Sequence, residues 1–114
     1  MLVNIYMSGY KINIIQKEMA KKHNVVIKSS ESKNKKIDVF DKKGNKLASI
    51  GGVYPNGKFY KDFATYIDEL GLTKARKKRS AYLKRHAKEP KFKMVKGKKV
   101  RTPSYWSDVI LWDI

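Results

Sequence analysis

Half of the residues between positions 74 and 101 are basic, and this segment most constrains how the chain can fold. It holds 14 lysines and arginines and one acid, Glu89, whereas the rest of the 114-residue chain holds 13 basic and nine acidic residues. Unpaired charges are costly to bury, so the segment can offer a core only a narrow apolar stripe. Neither half of the chain could then bury a core alone, and we expect a single domain over residues 1–114.

Apolar residues at helical spacing predict four helices. They cover residues 11–22, 59–70, 73–88 and 105–112. The second has the most continuous stripe and stops at Gly71, a residue type that often follows a last helical turn. The third is the basic helix, with Thr73 as its expected N-cap, and Pro90 prevents its continuation. Pro103 marks the start of the last helix.

Short alternating or β-branched runs predict strands. They cover residues 2–7, 25–28, 37–40 and 46–50, with a further small hairpin over residues 92–100. In that hairpin Phe92 and Met94 alternate with lysines, so we expect these two side chains on the core face. Together the elements predict an α+β fold, a small antiparallel sheet with two to four helices packed on one side. Residues 1–35 could form an extended N-terminal arm.

Several functional classes lack support in the sequence. There is no cysteine, and the longest purely apolar run, residues 109–112, is far too short to span a bilayer. The two histidines, His23 and His86, have no second ligand at metal spacing, and Gly51-Gly52 does not belong to a phosphate-binding loop motif. The N-terminus lacks the features of a signal peptide. We therefore expect no enzyme, no catalytic residue, no metal, no cofactor and no small-molecule substrate.

The basic residues are the best candidates for a binding function. Eight of them fall within residues 74–88, and like charges one turn apart destabilise a helix. A polyanion would offset that cost. The expected polyanion-binding residues are Arg76, Lys77, Arg79, Lys84, Arg85, Lys88, Lys98, Lys99 and Arg101. The alternative is a solvated surface that only aids solubility, and an acidic protein could replace nucleic acid as the partner.

The aromatic residues near the end of the chain are candidates for docking a partner. Tyr105, Trp106 and Trp112 lie in one short apolar segment, and Trp and Tyr dominate interface hot spots. On a helix the two tryptophans would point in directions roughly 120° apart. The alternative is that the segment is a terminal helix that closes the core. Tyr60 and Tyr66, at helical spacing, are expected in the core.

Four segments in a fixed order resemble a viral family. They are Ala-Ser-Ile-Gly at 48–51, Phe-Tyr-Lys-Asp-Phe at 59–63, the basic run at 76–86, which ends in Arg-His, and Thr-Pro-Ser-Tyr-Trp-Ser-Asp-Val-Ile-Leu-Trp at 102–112. Over residues 36–112 the chain thereby resembles small basic uncharacterised proteins of nucleocytoplasmic large DNA viruses, including those of algae. It departs from that pattern in a longer loop after Gly51, in a longer helix over residues 59–70, and in the basic insert at 91–101, which replaces a shorter and more acidic linker.

The resemblance implies a viral context and no mechanism. We expect a non-enzymatic virion component, a minor capsid or internal cementing protein whose basic face binds acidic proteins or the genome. The alternative is a sequence-nonspecific nucleic-acid-binding protein of viral transcription, replication or packaging, which would contact DNA or RNA through phosphates. The expected partners are other virion proteins or nucleic acid, with no membrane span. The expected location is the virion, or otherwise the host cytoplasm or nucleus.

Overall fold

The computed structural model describes residues 8–113, which form four α-helices and five β-strands. In chain order they are α1 (Ile14–Lys22), β1 (Val26–Ser29), β2 (Ile37–Phe40), β3 (Lys46–Ile50), α2 (Phe63–Leu70), α3 (Leu72–Arg85), β4 (Phe92–Val95), β5 (Lys98–Arg101) and α4 (Pro103–Trp106). A π-helical segment, Ser107–Leu111, continues α4. The predicted α+β class is confirmed, and the strand predicted at residues 2–7 lies outside the described residues.

The larger sheet is an antiparallel meander in the order β1-β2-β3. Val26 pairs with Phe40 and Ile37 with Ile50, so β2 lies in the centre. The predicted hairpin between β2 and β3 is confirmed. Its turn is held by Asp41, whose carboxylate accepts hydrogen bonds from the backbone of residues 43 and 45 at 2.9 Å, and Gly44 takes the positive φ that the turn requires.

One hydrophobic core joins the sheet to all four helices. Its members include Met19 of α1, Val39 of β2, Phe63 of α2 and Ile110 beyond α4. Burial of such side chains is the main source of folding free energy. Because α1 and β1 contribute to this core or pair with its central strand, the predicted N-terminal arm is folded into the domain over residues 14–29.

A buried ion pair fixes the start of α2. The Lys36 ammonium and the Asp62 carboxylate lie 3.0 Å apart, with 2% and 1% of their side chains exposed. Tyr10 and Gln16 also donate hydrogen bonds to Asp62, at 2.5 and 3.1 Å. The other carboxylate oxygen accepts the backbone N–H of Thr65 at 3.1 Å, which makes Asp62 the N-cap. The helix therefore begins at residue 63, and the predicted start at residue 59 is wrong.

The charges of this pair are stabilised unequally. Burial alone would raise the pKa of Asp62, but the Lys36 charge and the hydrogen bond from Tyr10 outweigh it and hold that pKa below its ordinary value. Burial lowers the pKa of Lys36, and the nearby carboxylate opposes this only in part. The contact between Lys36 and Asp62 therefore depends on the hydrogen bonds that surround Asp62.

Gly71 both ends α2 and begins α3. Its N–H donates to the Ile67 carbonyl at 2.9 Å, and its carbonyl accepts the Ala75 N–H at 3.0 Å. Its φ of 83° suits glycine and turns the chain between the two helices. Thr73, predicted as the N-cap, therefore lies inside the first turn. The helix ends at Arg85, three residues before the predicted end, where a tight turn brings the Glu89 N–H to the His86 carbonyl.

Strands β4 and β5 form a separate two-stranded hairpin, here called the basic hairpin (residues 92–101). Its two-residue turn has positive φ at both Lys96 and Gly97, the geometry that matches strand twist. The expectation that Phe92 and Met94 face the core is wrong, because the hairpin does not pair with the larger sheet and all of β4 is exposed. Met94 keeps 66% of its surface accessible.

Candidate nucleic-acid interface

Helix α3 has one face in the core and one covered with cations. Ala75 and Tyr82 are buried against the rest of the domain. Arg76, Lys77, Lys84 and Arg85 are exposed, and none of them forms an ion pair within residues 8–113. Lys77 and Lys84 are seven residues apart, so they lie on the same side, two turns from one another. The outer face of α3, meaning its surface outside the core, therefore carries positive charge that no acid among the described residues compensates.

The charges near the N-terminus of α3 destabilise the helix. The first turn carries no acid, although the positive end of the helix dipole favours one there. Lys74 and Lys78 are like charges four residues apart, an arrangement that costs a few tenths of a kcal/mol. Lys84 and Arg85 in the last turn are favourably placed. An anion bound along the outer face would reduce the repulsion between the basic side chains of α3.

Arg79 differs from the other predicted polyanion-binding residues of this helix. Its guanidinium lies 4.3 Å from the centre of the Phe63 ring, and Nη1 donates to the Asp113 carbonyl at 3.1 Å. It is only half exposed. Arg79 thus reaches from α3 to Phe63 of α2 and to Asp113. The other four, Arg76, Lys77, Lys84 and Arg85, lie on the surface.

The basic hairpin carries the second group of free cations. Lys93, Lys96, Lys98 and Lys99 are exposed, and within the described part of the chain none has an acidic partner. The pairing of Met94 with Lys99 and of Val95 with Lys98 puts lysines on both faces of the hairpin. A two-stranded ribbon is narrow enough to enter the major groove of duplex DNA. The hairpin therefore has both the charge and the width for such a contact.

Two residues of the hairpin are held by aromatic rings. Lys99 lies 4.3 Å from the centre of the Phe92 ring, and Arg101 lies 4.7 Å from Tyr105 and 5.5 Å from Trp106. Cation–π contacts of this kind hold a charged group in place without neutralising it. Arg101 is consequently oriented at the base of the hairpin and still exposed.

The junction between α3 and the hairpin contains acidic groups with hydrogen-bonding partners, unlike its surroundings. Glu89 pairs with His86 and accepts a hydrogen bond from Ser104 at 2.8 Å, and the His86 contact holds the pKa of Glu89 below its ordinary value. Lys91 lies 2.9 Å from the buried Asp108. These pairs fix the two cationic elements to the core. Lys88, between them, is exposed.

The C-terminal aromatic residues lie mainly inside the domain. Trp106 and Trp112 are 3% and 6% exposed, and Tyr105 is half-buried. The Trp112 ring stacks on Tyr82 of α3, with centres 4.4 Å apart, while Trp106 packs near His23 at the end of α1. The two tryptophans point in different directions, and both are buried, because Trp106 faces α1 and Trp112 faces α3. This arrangement agrees with the alternative of a terminal helix that closes the core.

Sequence reasoning missed a pair of exposed tyrosines. Tyr54 and Tyr60 are 48% and 46% exposed, and their rings meet edge to face with centres 4.0 Å apart. The expectation that Tyr60 lies in the core is wrong, because α2 begins three residues later and Tyr60 belongs to the preceding loop. Asp62 followed by Thr65 was the available signal, since aspartate is a preferred N-cap residue.

Neither a metal site nor a membrane span is found in the described residues. Among residues 8–113 no group of three His, Asp or Glu side chains could hold a metal ion. No helix in this range has the length and apolar character needed to cross a bilayer.

Comparison with known proteins gives no relative from which a function could be transferred. No protein-family model, no curated protein and no solved structure matches this chain. The resemblance to the viral family stays a prediction, and a proposal about function must rest on the geometry described above.

Proposed function

We propose that this protein binds the phosphate backbone of nucleic acid, without sequence specificity, through the outer face of α3 and the basic hairpin. The observation that carries the proposal is the row of exposed cations on these two elements, which have no acidic partners among the described residues. Duplex DNA carries one negative charge per roughly 1.7 Å of its axis and releases counterions when lysines neutralise its phosphates. Such release would supply the binding free energy.

The chemistry of the two elements favours backbone contact over base recognition. Base edges are read mainly by Asn, Gln and Arg held in fixed geometry, whereas the outer side chains here are mostly flexible lysines. The burial of both tryptophans also supports a domain that folds with its own core and presents charge to its partner. No enzymatic step is part of the proposal.

The test is duplex binding over a salt series from roughly 50 to 300 mM, with an acidic polypeptide as competitor. The Lys77→Ala, Lys84→Ala double variant is compared with Lys42→Ala, Lys43→Ala, which loses the same charge from the exposed β2–β3 turn. The plot of log K against log salt has a negative slope. We expect the α3 variant to reduce the magnitude of this slope by about 2, and the turn variant to leave it nearly unchanged. Equal effects of the two variants, or displacement of DNA by the polypeptide at equal charge, would contradict the proposal.

We propose a role inside the virion as a second candidate. Exposed apolar side chains on the basic hairpin favour it, since Phe92, Met94 and Val95 keep 41%, 66% and 42% of their surfaces accessible beside lysines. Such a mixed surface suits contact with an acidic protein that also offers apolar groups. A Phe92→Ser, Met94→Ser variant should lose incorporation into particles while it still binds duplex DNA. Incorporation at the wild-type level would refute this second candidate.

A further inference from the structure

A groove lined by aromatic rings lies beside the candidate interface. It has a volume of about 610 Å³ and runs between the loop that carries Tyr54 and Tyr60 and the junction of α3 with α4. Tyr66, Tyr82 and Trp112 also line it. We call it the aromatic groove. Its volume falls in the range of sites that hold nucleotide-sized ligands.

The rings on the inner side of the groove lie next to one another in a row. Tyr66 and Trp112 have ring centres 6.1 Å apart, Trp112 and Tyr82 4.4 Å, and Tyr82 and His86 4.3 Å. The Trp112 and Tyr82 planes differ by 14°. Because the two central rings are buried, this row is a fixed wall of the groove.

The opposite side of the groove presents the exposed tyrosine pair. The Tyr60 ring lies directly on the backbone of Gly52, where a Cβ atom would stand 2.1 Å from the ring carbon Cδ2. The Tyr54 ring is perpendicular to the Tyr60 ring, with ring centres 4.0 Å apart. Only glycine at position 52 allows Tyr60 to take this position. The ring is thus held in place, although nearly half of the side chain is open to solvent.

The charge around the groove favours an anionic ligand. Lys36 is neutralised by Asp62, Lys61 by Glu69, and His86 is hydrogen-bonded to Glu89. Two lining cations are left without an acidic partner among the described residues: Lys35 and Arg85. Arg85 also belongs to the exposed face of α3. A phosphate chain bound along α3 would therefore pass the mouth of the groove.

From these observations we infer that the aromatic groove takes an unpaired base of single-stranded nucleic acid. The base would stack on Tyr60 while Arg85 and Lys35 contact the flanking phosphates. A base in a duplex has both faces covered by its neighbours, so only a single strand or a strand end can offer one. The inference rests on the proposed backbone binding and adds to it a preference for unpaired strands.

The experiment compares two strands of equal charge. One is an oligothymidine of about 12 nucleotides, and the other is the same length with abasic sites in place of the bases. Binding is measured by fluorescence anisotropy at roughly physiological salt, about 150 mM. We expect wild type to bind the thymidine strand about tenfold more tightly than the abasic strand, as base–aromatic stacking predicts.

Variants assign that ratio to the groove. Tyr60→Ala and Gly52→Ala, which displaces the Tyr60 ring, should each bring the ratio close to one, and Tyr60→Phe should retain it. Phe40→Ala removes a partly exposed ring from β2, outside the groove, α3 and the basic hairpin, and should leave the ratio unchanged. Urea unfolding of each variant verifies that it is folded.

The possible outcomes separate this inference from the proposed function. Equal wild-type affinity for both strands, or an unchanged ratio in Tyr60→Ala and Gly52→Ala, would overturn the inference and leave backbone binding intact. Failure of wild type to bind either strand or duplex at this salt concentration would overturn both.

Discussion

Replacement of Asp62 by alanine should destabilise the domain more than the same replacement of any exposed acidic residue. The substitution removes the N-cap of α2, which costs about 1 kcal/mol, and leaves the Lys36 ammonium buried without its counterion, which costs about 3 kcal/mol or more. We therefore expect a loss of about 4 kcal/mol in the free energy of unfolding and a fall of about 15 °C in Tm. Solvent does not screen the lost interaction, because both side chains are almost fully buried.

Urea unfolding at neutral pH measures the effect, with Asp68→Ala as the matched control. Asp68 lies in the same helix, is exposed and has no ion pair among the described residues, so its loss should change stability by less than about 0.5 kcal/mol. The Lys36→Met, Asp62→Asn double variant should be more stable than Asp62→Ala, because no unpaired ion stays in the core. A loss below about 1 kcal/mol in Asp62→Ala would refute the reasoning.

Three further predictions concern stability. Gly51→Ala should cost more than Gly57→Ala, because both residues have positive φ but only at Gly51 would the new Cβ stand 2.7 Å from the Lys36 side chain; equal losses in urea unfolding would argue against that crowding. The protein should lose stability as the pH falls below 3.8, the ordinary pKa of an aspartate carboxyl group. Folding lowers the pKa values of Asp38 and Asp62, so the unfolded chain takes up protons first. Equal urea midpoints at pH 7 and pH 3 would contradict this prediction. Arg79→Ala should lower Tm by several degrees and leave the salt slope of DNA binding nearly unchanged, and a lowered slope with unchanged Tm would reverse the role assigned to its inward contacts.

Periodicity predicted the local elements of this fold well, because it depends on residues close in sequence. The hairpin of β2 and β3 has the predicted bounds, and Gly71 ends α2 as expected. The predicted start of α2 was too early because the apolar stripe continues back to Phe59, whereas the Asp62 N-cap makes the helix begin at residue 63. Cap hydrogen bonds outweigh a stripe at a helix end, since they satisfy backbone N–H groups that have no partner in the helix.

The candidate site was predictable in its charges and not in its aromatic part. Runs of lysine must lie on a surface, so the sequence alone indicated the cations of α3 and the basic hairpin. The aromatic groove depends on contacts between residues far apart, such as Tyr82 with Trp112 and Tyr60 with Gly52. Strand alternation also gave a wrong prediction for Phe92 and Met94. It shows which residues share a face of a hairpin, but not whether that face packs against a core.

A lysine footprint in the presence of duplex DNA tests the proposed interface most directly. Limited acetylation with and without DNA, read by mass spectrometry, gives the protection of each lysine at roughly physiological salt. We expect strong protection of Lys77, Lys84 and Lys98, and none of Lys42 and Lys43, which are also exposed and lie on the β2–β3 turn. Uniform protection of all five lysines, or protection confined to the turn, would contradict the claim that α3 and the basic hairpin bind nucleic acid.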